Sequence, residues 1–143
     1  MDQEWHRGEF SISTDPRRLD IDRIHEFLSK EAYWALGRSR EVVERSILHS
    51  LNFGVYRGTE QVGFARVVTD RATFAWLADV FIQPACRKRG LSQWLMTVIS
   101  GHPELQGLRR WILATRDAHE LYGRFGFEPL SAPGRFMQRL NEG

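Results

Sequence analysis

The chain has little of what marks a secreted, membrane-bound or metal-dependent protein. Its single cysteine, Cys86, cannot form an internal disulfide, and no spacing of Cys and His resembles a zinc site. The first ten residues contain no apolar signal-peptide core, and the most apolar stretch, at residues 74–82, is only long enough for a strand. We therefore expect a cytoplasmic protein that binds neither a membrane nor a metal ion.

Neither basic nor acidic residues predominate in the chain. Twenty Lys and Arg residues are balanced by eighteen Asp and Glu residues, which leaves a formal net charge of +2. The basic runs at residues 87–89 and 109–110 lie in a chain with no recognition-helix or RNP pattern. A nucleic-acid-binding module is therefore a poor interpretation, and we expect no nucleic acid as partner.

What the chain does have is enough apolar and aromatic surface for one core. Hydrophobic residues make up 42% of its 143 residues, with nine Phe and five Trp among them. Burying large aromatic side chains helps to offset the entropy lost on ordering, which argues against disorder. A chain of this length suits a single domain, at residues 1–143.

Hydrophobic periodicity predicts an α+β fold. Apolar residues recur at helical spacing in four segments and follow strand-like patterns between them. Asp20, Ser39 and Asp117 are expected N-cap residues, and Gly90 is expected to open the third helix. The predicted elements are a strand at 9–14, helices at 21–34 and 40–50, strands at 51–57, 61–69 and 73–82, a helix at 91–100, a strand at 108–115, a helix at 118–125, then Gly126-Phe127 and a closing strand at 135–140. The order βααβββαβαββ indicates a mixed central β-sheet flanked by helices.

Residues 80–94, VFIQPACRKRGLSQW, join a strand end to a basic loop and a helix start. The first N–H groups of a helix lack partners within the helix and carry partial positive charge, so such a start can bind phosphate groups. Gly90 permits close approach to the backbone, and Arg87 and Arg89 add charge. A solvated basic turn that only caps a helix would have the same composition. The loop is neither a Walker A sequence nor a G-x-G-x-x-G fingerprint.

Two motifs in this half of the chain resemble those of the GNAT N-acetyltransferase superfamily. Ile82-Gln83-Pro84 followed by residues 87–92, RKRGLS, is similar to its V-x-P strand end and its acyl-CoA loop, R/Q-x-x-G-x-G/A. Ser92 takes the place of the last small residue. Residues 118–127, AHELYGRFGF, are similar to the second motif, A-x-x-L-Y-x-x-x-G-F. The two motifs occur in the superfamily's order with a strand between them, and the resemblance extends over residues 53–130.

The resemblance implies acetyl-CoA as cosubstrate. Its pyrophosphate would contact the backbone N–H groups of the loop, and its pantetheine arm would pair with the edge of the preceding strand. Thr115 stands where the superfamily often has an Asn that touches the cofactor. The cofactor-binding residues implied in this way are Phe81, Ile82, Arg87, Lys88, Arg89, Gly90, Leu91, Ser92 and Thr115.

The resemblance also implies a catalytic role for Tyr122. A phenol with an ordinary pKa near 10 stays protonated at neutral pH, and a departing thiolate whose conjugate acid has a pKa near 8.5 can accept its proton. A tyrosine that only packs on a helix face is the other interpretation of this position.

Asp79 is the one charged residue in an otherwise apolar strand. It could take the proton of the attacking amine directly or through water, or it could hold the ammonium group. An Asp satisfied by backbone N–H groups or by a nearby Arg would fit the same position. The sequence leaves these roles open.

Tyr33, Trp34, Arg38 and Trp76 are candidate residues of an acceptor pocket. Aromatic and Arg side chains can form a slot for a cation or for a carboxylate-bearing substrate. Either tryptophan could instead be a core residue. The acceptor is expected to be an amine on a small molecule or a peptide.

The leading prediction is an enzyme that transfers an acetyl group directly from acetyl-CoA to a primary amine. Cys86 is treated as structural, because direct transfer needs no acyl-enzyme. The alternative is a non-catalytic acyl-CoA sensor that binds a protein partner through the face at residues 34–45. Since C-terminal strands of the superfamily often pair between subunits, a homodimer is a further expectation.

Overall fold

The computed structural model describes residues 2–141 and contains one six-stranded sheet with helices packed on its faces. The strands are β1 (Glu4–Arg7), β2 (Phe10–Ser13), β3 (Leu51–Arg57), β4 (Glu60–Thr69), β5 (Phe74–Ile82) and β6 (Arg110–Ile112). The helices are α1 (Ile21–Lys30), α2 (Arg40–Leu48), α3 (Leu91–Ser100) and α4 (His119–Gly123). The strands lie in the sheet in chain order, and all neighbours are antiparallel except β5 and β6, which are parallel. The predicted mixed sheet flanked by helices is confirmed.

Local capping explains where the first two helices begin. The Asp20 side chain accepts a hydrogen bond from the backbone N–H of Arg23, and the Ser39 side chain accepts one from Val42. Both residues are the predicted N-caps, and each satisfies a backbone donor that the helix leaves free. The last helix differs from the prediction, because its N-cap is Ala118 rather than Asp117.

The interior elements form where periodicity predicted them, but several are shorter. Helix α1 ends at Lys30, so Tyr33 and Trp34 lie in the loop between α1 and α2 rather than on a helix. Strand β6 covers only Arg110–Ile112 of the expected 108–115.

The two ends of the chain differ from the prediction. The strand predicted at 9–14 forms as β2, but a strand before it was missed, and the predicted closing strand is wrong. Strand β1 was not expected. It pairs with β2 through a tight turn in which Gly8 has a φ of 59°, and its Trp5 ring lies 6.4 Å from the Phe53 ring. The closing strand at 135–140 does not form, and within the described residues no strand follows α4. Apolar residues there do not alternate: Phe136 contacts the Arg110 guanidinium, whereas Met137 is 98% exposed.

The sheet separates two apolar clusters. On one face, α1 and α2 cover Phe64 and Phe81, and the Phe27 and Phe81 rings stack with centroids 4.1 Å apart. The other face packs against α3, with Leu95, Met96 and Ile99 fully buried, and Tyr122 of α4 belongs to the same cluster. Only the end of β5 is covered on both faces, by Phe81 in the first cluster and Ile82 in the second. Residues 74, 76, 78 and 80 are exposed or half-buried, so the coverage predicted from the apolar sequence is confirmed only there.

Gly63 on β4 allows the central strands to pack closely. A Cβ built there would lie 2.7 Å from the Ile82 side chain and 3.0 Å from the Phe81 carbonyl oxygen. Because the second of these atoms belongs to the backbone, we expect Gly63→Ala to lower the free energy of unfolding by about 2 kcal/mol. Urea denaturation measures this. Gly123→Ala is the control, since nothing lies within 4 Å of its built Cβ, and an equal loss in both variants would contradict the packing argument.

Candidate active site

Strands β5 and β6 pair over only three residues and then separate. The parallel ladder joins Phe74–Trp76 to Arg110–Ile112, so the remainder of β5 has no strand on that side. A cavity of about 320 Å³ lies at this separation, and its wall includes residues 77–80 of β5 and residues 113–115 after β6. The fork in the sheet therefore creates both an open strand edge and a pocket beside it.

Asp79 reaches this pocket through a β-bulge. The register between β4 and β5 shifts so that Asp79 and Val80 together oppose Ala65 alone. Asp79 has a φ of 54°, a left-handed conformation that is unusual for a residue other than glycine. An extra residue in one strand bends it and redirects a side chain, and strain of this kind is common at functional sites. The bulge explains how a carboxylate leaves an otherwise apolar strand.

Three donors surround the Asp79 carboxylate, which is 2% exposed. Trp34 Nε1 donates to Oδ1 at 2.9 Å. Arg38 Nη1 and Arg66 Nε both donate to Oδ2, each at 2.9 Å. Both carboxylate oxygens are therefore hydrogen-bonded, and two guanidinium groups share one of them. Of the roles open for Asp79 in the sequence, pairing with Arg is the one the contacts show.

The four predicted acceptor-pocket residues all line this cavity. Trp34 is 41% exposed and Trp76 lies at the fork, and neither belongs to the apolar clusters. Tyr33 is held in place by Arg116, whose backbone N–H donates to Tyr33 Oη at 2.9 Å and whose guanidinium lies 3.9 Å from the ring centroid. The loop after α1 is thereby joined to the segment after β6.

Tyr122 faces the same cavity from α4. Its side chain is 9% exposed, and burial raises the pKa of its hydroxyl above the ordinary value near 10, with a smaller contribution from Tyr33. Within residues 2–141, no group hydrogen-bonds to this hydroxyl. Thr115 also lines the cavity, where its Oγ1 accepts a hydrogen bond from Ala118 N at 3.0 Å. Tyr122 is therefore a protonated phenol with a free donor.

The basic loop is shaped by two left-handed residues. Lys88 has a φ of 63° and Gly90 a φ of 74°, and they direct the chain into α3. Gly90 is the N-cap and makes no side-chain hydrogen bond, so the first N–H groups of α3 lack a side-chain cap. These groups border a groove of about 230 Å³ that runs from Ile82 past residues 86–88 and 90–93 to Leu121. The groove has the donors that an anion needs.

The strand before the loop has a mixed role. Phe81 and Ile82 bury their side chains in the core, so only their backbone is available to a ligand. The Ile82 carbonyl already accepts a hydrogen bond from Arg87 Nε at 3.0 Å. Arg87 thus ties the loop to the strand.

Two site residues were missed in the sequence. Arg66 lies in the mostly apolar strand β4 opposite Ala78, the residue before Asp79, and an Arg and an Asp in neighbouring apolar strands were a usable signal. Arg7 donates from Nη2 to the Arg89 carbonyl at 2.8 Å, and its guanidinium lies 5.0 Å from the Trp94 ring centroid. Nothing local pointed to Arg7, because β1 itself was not expected.

Comparison with known proteins identifies the family. The family model described as an acetyltransferase (GNAT) domain matches residues 49–129. The chain belongs to the GNAT acetyltransferase family. A candidate acetyltransferase of Gibberella zeae is 34% identical, over 85% of this chain and 80% of that protein.

Solved structures agree with this assignment. A GNAT-family protein from Xanthomonas campestris pv. campestris is 48% identical, with a TM-score of 0.92 over 95% of this chain and 96% of its own. A protein of Clostridium acetobutylicum, described as a predicted acetyltransferase and solved with acetyl-CoA, shares the fold at 10% identity, with a TM-score of 0.66 over 99% of this chain and 96% of that one. A non-catalytic sensor is not favoured by these relatives.

No helix within residues 2–141 is long and apolar enough to cross a membrane. In the same residues, no group of three or more His, Cys, Asp or Glu side chains could hold a metal ion.

Proposed function

We propose that the protein is an N-acetyltransferase that moves the acetyl group of acetyl-CoA directly to a primary amine. The observation that carries this proposal is the arrangement along the open edge of β5. The uncapped start of α3 lies beyond one end of that edge, and the free hydroxyl of Tyr122 faces the cavity beside it. A phosphate site and an acid are thus available to one extended thioester substrate.

The loop and the strand edge would hold the cosubstrate. Backbone N–H groups at residues 87–92 bind the pyrophosphate, helped by the partial positive charge of the helix start. The backbone of β5 beside the cavity pairs with the amides of the pantetheine arm. These contacts direct the thioester into the cavity below Tyr122.

In the cavity, the amine nitrogen attacks the carbonyl carbon of the thioester, and the carbon–sulfur bond breaks. Tyr122 donates its proton to the departing sulfur as negative charge develops there. The proton that the nitrogen loses on becoming an amide nitrogen returns to the phenolate, so the products are the amide and the free CoA thiol and Tyr122 ends the turnover protonated. The raised pKa keeps the phenol protonated until the pH exceeds 10, so the proton is available throughout the neutral range.

Asp79 would act as a positioning residue rather than as the base. Its carboxylate already accepts from Trp34, Arg38 and Arg66, so each oxygen has a protein hydrogen-bond partner. The two arginines instead favour the neutral form of a bound amine, because like charges nearby lower an ammonium group's pKa. Asp79 then holds the wall of the cavity in place.

The direct test is release of the CoA thiol from acetyl-CoA across a panel of amines, with a no-amine blank. Release well above the blank is expected for at least one amine. Tyr122→Phe should lower kcat by about 100-fold, because it removes the acid, while acetyl-CoA binding measured by calorimetry stays unchanged. Below pH 10, kcat of the wild type should not decrease through loss of the Tyr122 hydroxyl proton.

Tyr56→Phe is the matched control for this variant. Tyr56 is also buried, its hydroxyl lacks a hydrogen-bond partner within the described chain, and burial raises its pKa to about 12. It does not line the cavity, so its loss should leave turnover unchanged. An unaltered kcat in Tyr122→Phe would remove Tyr122 from the mechanism.

Asp79→Asn separates a positioning role from a base. We expect a higher KM for the amine and a free energy of unfolding lower by about 3 kcal/mol, since two buried guanidinium groups lose their counter-charge. In the variant, kcat/KM should still rise with pH, and the rise should occur at the pH at which the amine substrate loses its proton. If that rise disappears in the variant, Asp79 is the base. Asp15→Asn, in an exposed ion pair with Arg17, controls for a general effect of removing a carboxylate.

Arg7→Ala tests whether β1 supports the acyl-CoA loop. Losing the hydrogen bond to the Arg89 carbonyl frees the loop before α3, so the Kd of acetyl-CoA should rise by about fivefold, with kcat unchanged. His6→Ala, at an equally exposed position of the same strand whose side chain contacts Glu4 and not the loop, should leave the Kd as it is. Equal Kd values for Arg7→Ala and the wild type would contradict the support role.

A further inference from the structure

The buried charges of the cavity do not cancel. Arg38 and Arg66 are 22% and 13% exposed in their side chains, and both contact the one buried carboxylate, Asp79. The other acidic residue in the cavity wall, Asp117, is 72% exposed and lies 3.7 Å from the Arg116 guanidinium. Among the residues that the structure describes, one guanidinium charge in the wall therefore has no counter-charge.

The hydrogen-bond donors of the two arginines also exceed their acceptors. A guanidinium group carries five N–H donors. Arg38 uses Nη1 toward Asp79, and Arg66 uses Nε toward Asp79 and Nη1 toward Ser50 Oγ at 3.1 Å. Within residues 2–141, the remaining guanidinium nitrogens have no hydrogen-bond acceptor. A bound anion would supply both the missing charge and the missing acceptors.

The Tyr33 ring does not offer a free face to a cation. The face of Tyr33 is already covered by the Arg116 guanidinium, and Trp34 meets the Tyr33 ring edge-on at 5.1 Å. The indole N–H of Trp34 points to Asp79. A second cation over Tyr33 would meet a like charge, so the carboxylate-binding alternative is the better supported of the two.

We infer that the acceptor is a small amine that carries an anionic group, bound by Arg38 and Arg66 at the wall of this cavity. The inference rests on the proposed function and names the substrate class of that site. The cavity of about 320 Å³ also receives the thioester end of acetyl-CoA, so the space that remains favours a small acceptor. Carboxylate and phosphate share the chemistry that a guanidinium recognises, so both belong to the class.

The test compares acceptors that differ only in the anion. The first pair is β-alanine and β-alaninamide, and the second is O-phosphoethanolamine and ethanolamine. Putrescine is added as an acceptor that carries a second ammonium group in place of an anion. We expect kcat/KM to be at least about tenfold higher for the anionic member of one or both pairs, with putrescine poorest. The pair with the larger ratio distinguishes carboxylate from phosphate. Equal values, or a preference for the neutral amine or putrescine, would overturn the inference.

Arg38 variants test the residue itself. Arg38→Gln should remove most of the preference for the anionic member, and Arg38→Lys should keep part of it because the charge remains. Circular dichroism and the unchanged Kd of acetyl-CoA establish that each variant is folded. A preference that survives intact in folded Arg38→Gln would exclude Arg38 as the anion-binding group.

Calorimetry separates this inference from the proposed function. CoA-saturated protein is titrated with β-alanine, β-alaninamide, O-phosphoethanolamine and ethanolamine. Anion-selective binding without acetyl transfer supports an anion site at Arg38 and Arg66 but contradicts the proposed enzyme, and with it the role of the bound amine as acceptor. Transfer without selectivity contradicts the inference alone. If neither binding nor transfer is selective for the anionic amines, the inference is contradicted as well.

Discussion

The structure around the cavity depends on the buried carboxylate of Asp79. A charge with 2% exposure is costly unless charged or polar donors surround it, and three elements supply those donors. Trp34 and Arg38 come from the loop between α1 and α2, and Arg66 comes from the neighbouring strand β4. The contact thereby fixes the path of a loop that has no regular structure of its own. Ala32 and Ala35, buried in the core, and the hydrogen bond from Arg116 N to Tyr33 Oη hold the same loop on either side of Trp34.

The bulge that directs Asp79 into the cavity lies just after the point where β5 stops pairing with β6. Pairing with β6 stops at Trp76, and Asp79 adopts its left-handed φ three residues later. The open edge that results runs toward the loop at residues 87–90 and the uncapped start of α3. Both ends of this region have unsatisfied N–H donors and positive charge. At one end the donors belong to backbone, and at the other to the guanidinium groups of Arg38 and Arg66.

Much of the fold follows from local sequence. Asp20 and Ser39 cap the first helices because their side chains accept backbone N–H groups that any helix leaves free, and this is visible without tertiary information. Strand β1 is different. The contacts of Trp5 with Phe53 and with His102 exist only once distant parts of the chain are assembled, so a strand of four mostly exposed residues left no pattern. Arg7 was hidden for the same reason.

The candidate site was predictable as a set of residues but not as a set of contacts. Asp79 stood out as a charge in an apolar strand, and Tyr33, Trp34, Arg38 and Trp76 do line one cavity with it. Spacing along the chain carries no information about which donors satisfy a carboxylate, because Arg66 and Trp34 reach it from separate elements. The left-handed backbone at Asp79 was equally invisible, since no glycine marks it.

The charge left over in the cavity has a consequence for the proposed reaction. An amine must lose a positive charge before it attacks, and the thioester then develops negative charge on its carbonyl oxygen and on the departing sulfur. A wall with two guanidinium groups and one carboxylate stabilises both changes relative to a neutral wall. The charged groups of the wall do not supply a proton to the sulfur, and in the proposed reaction Tyr122 supplies it. Because burial raises the pKa of that hydroxyl, the proton remains on the phenol until the thiolate accepts it.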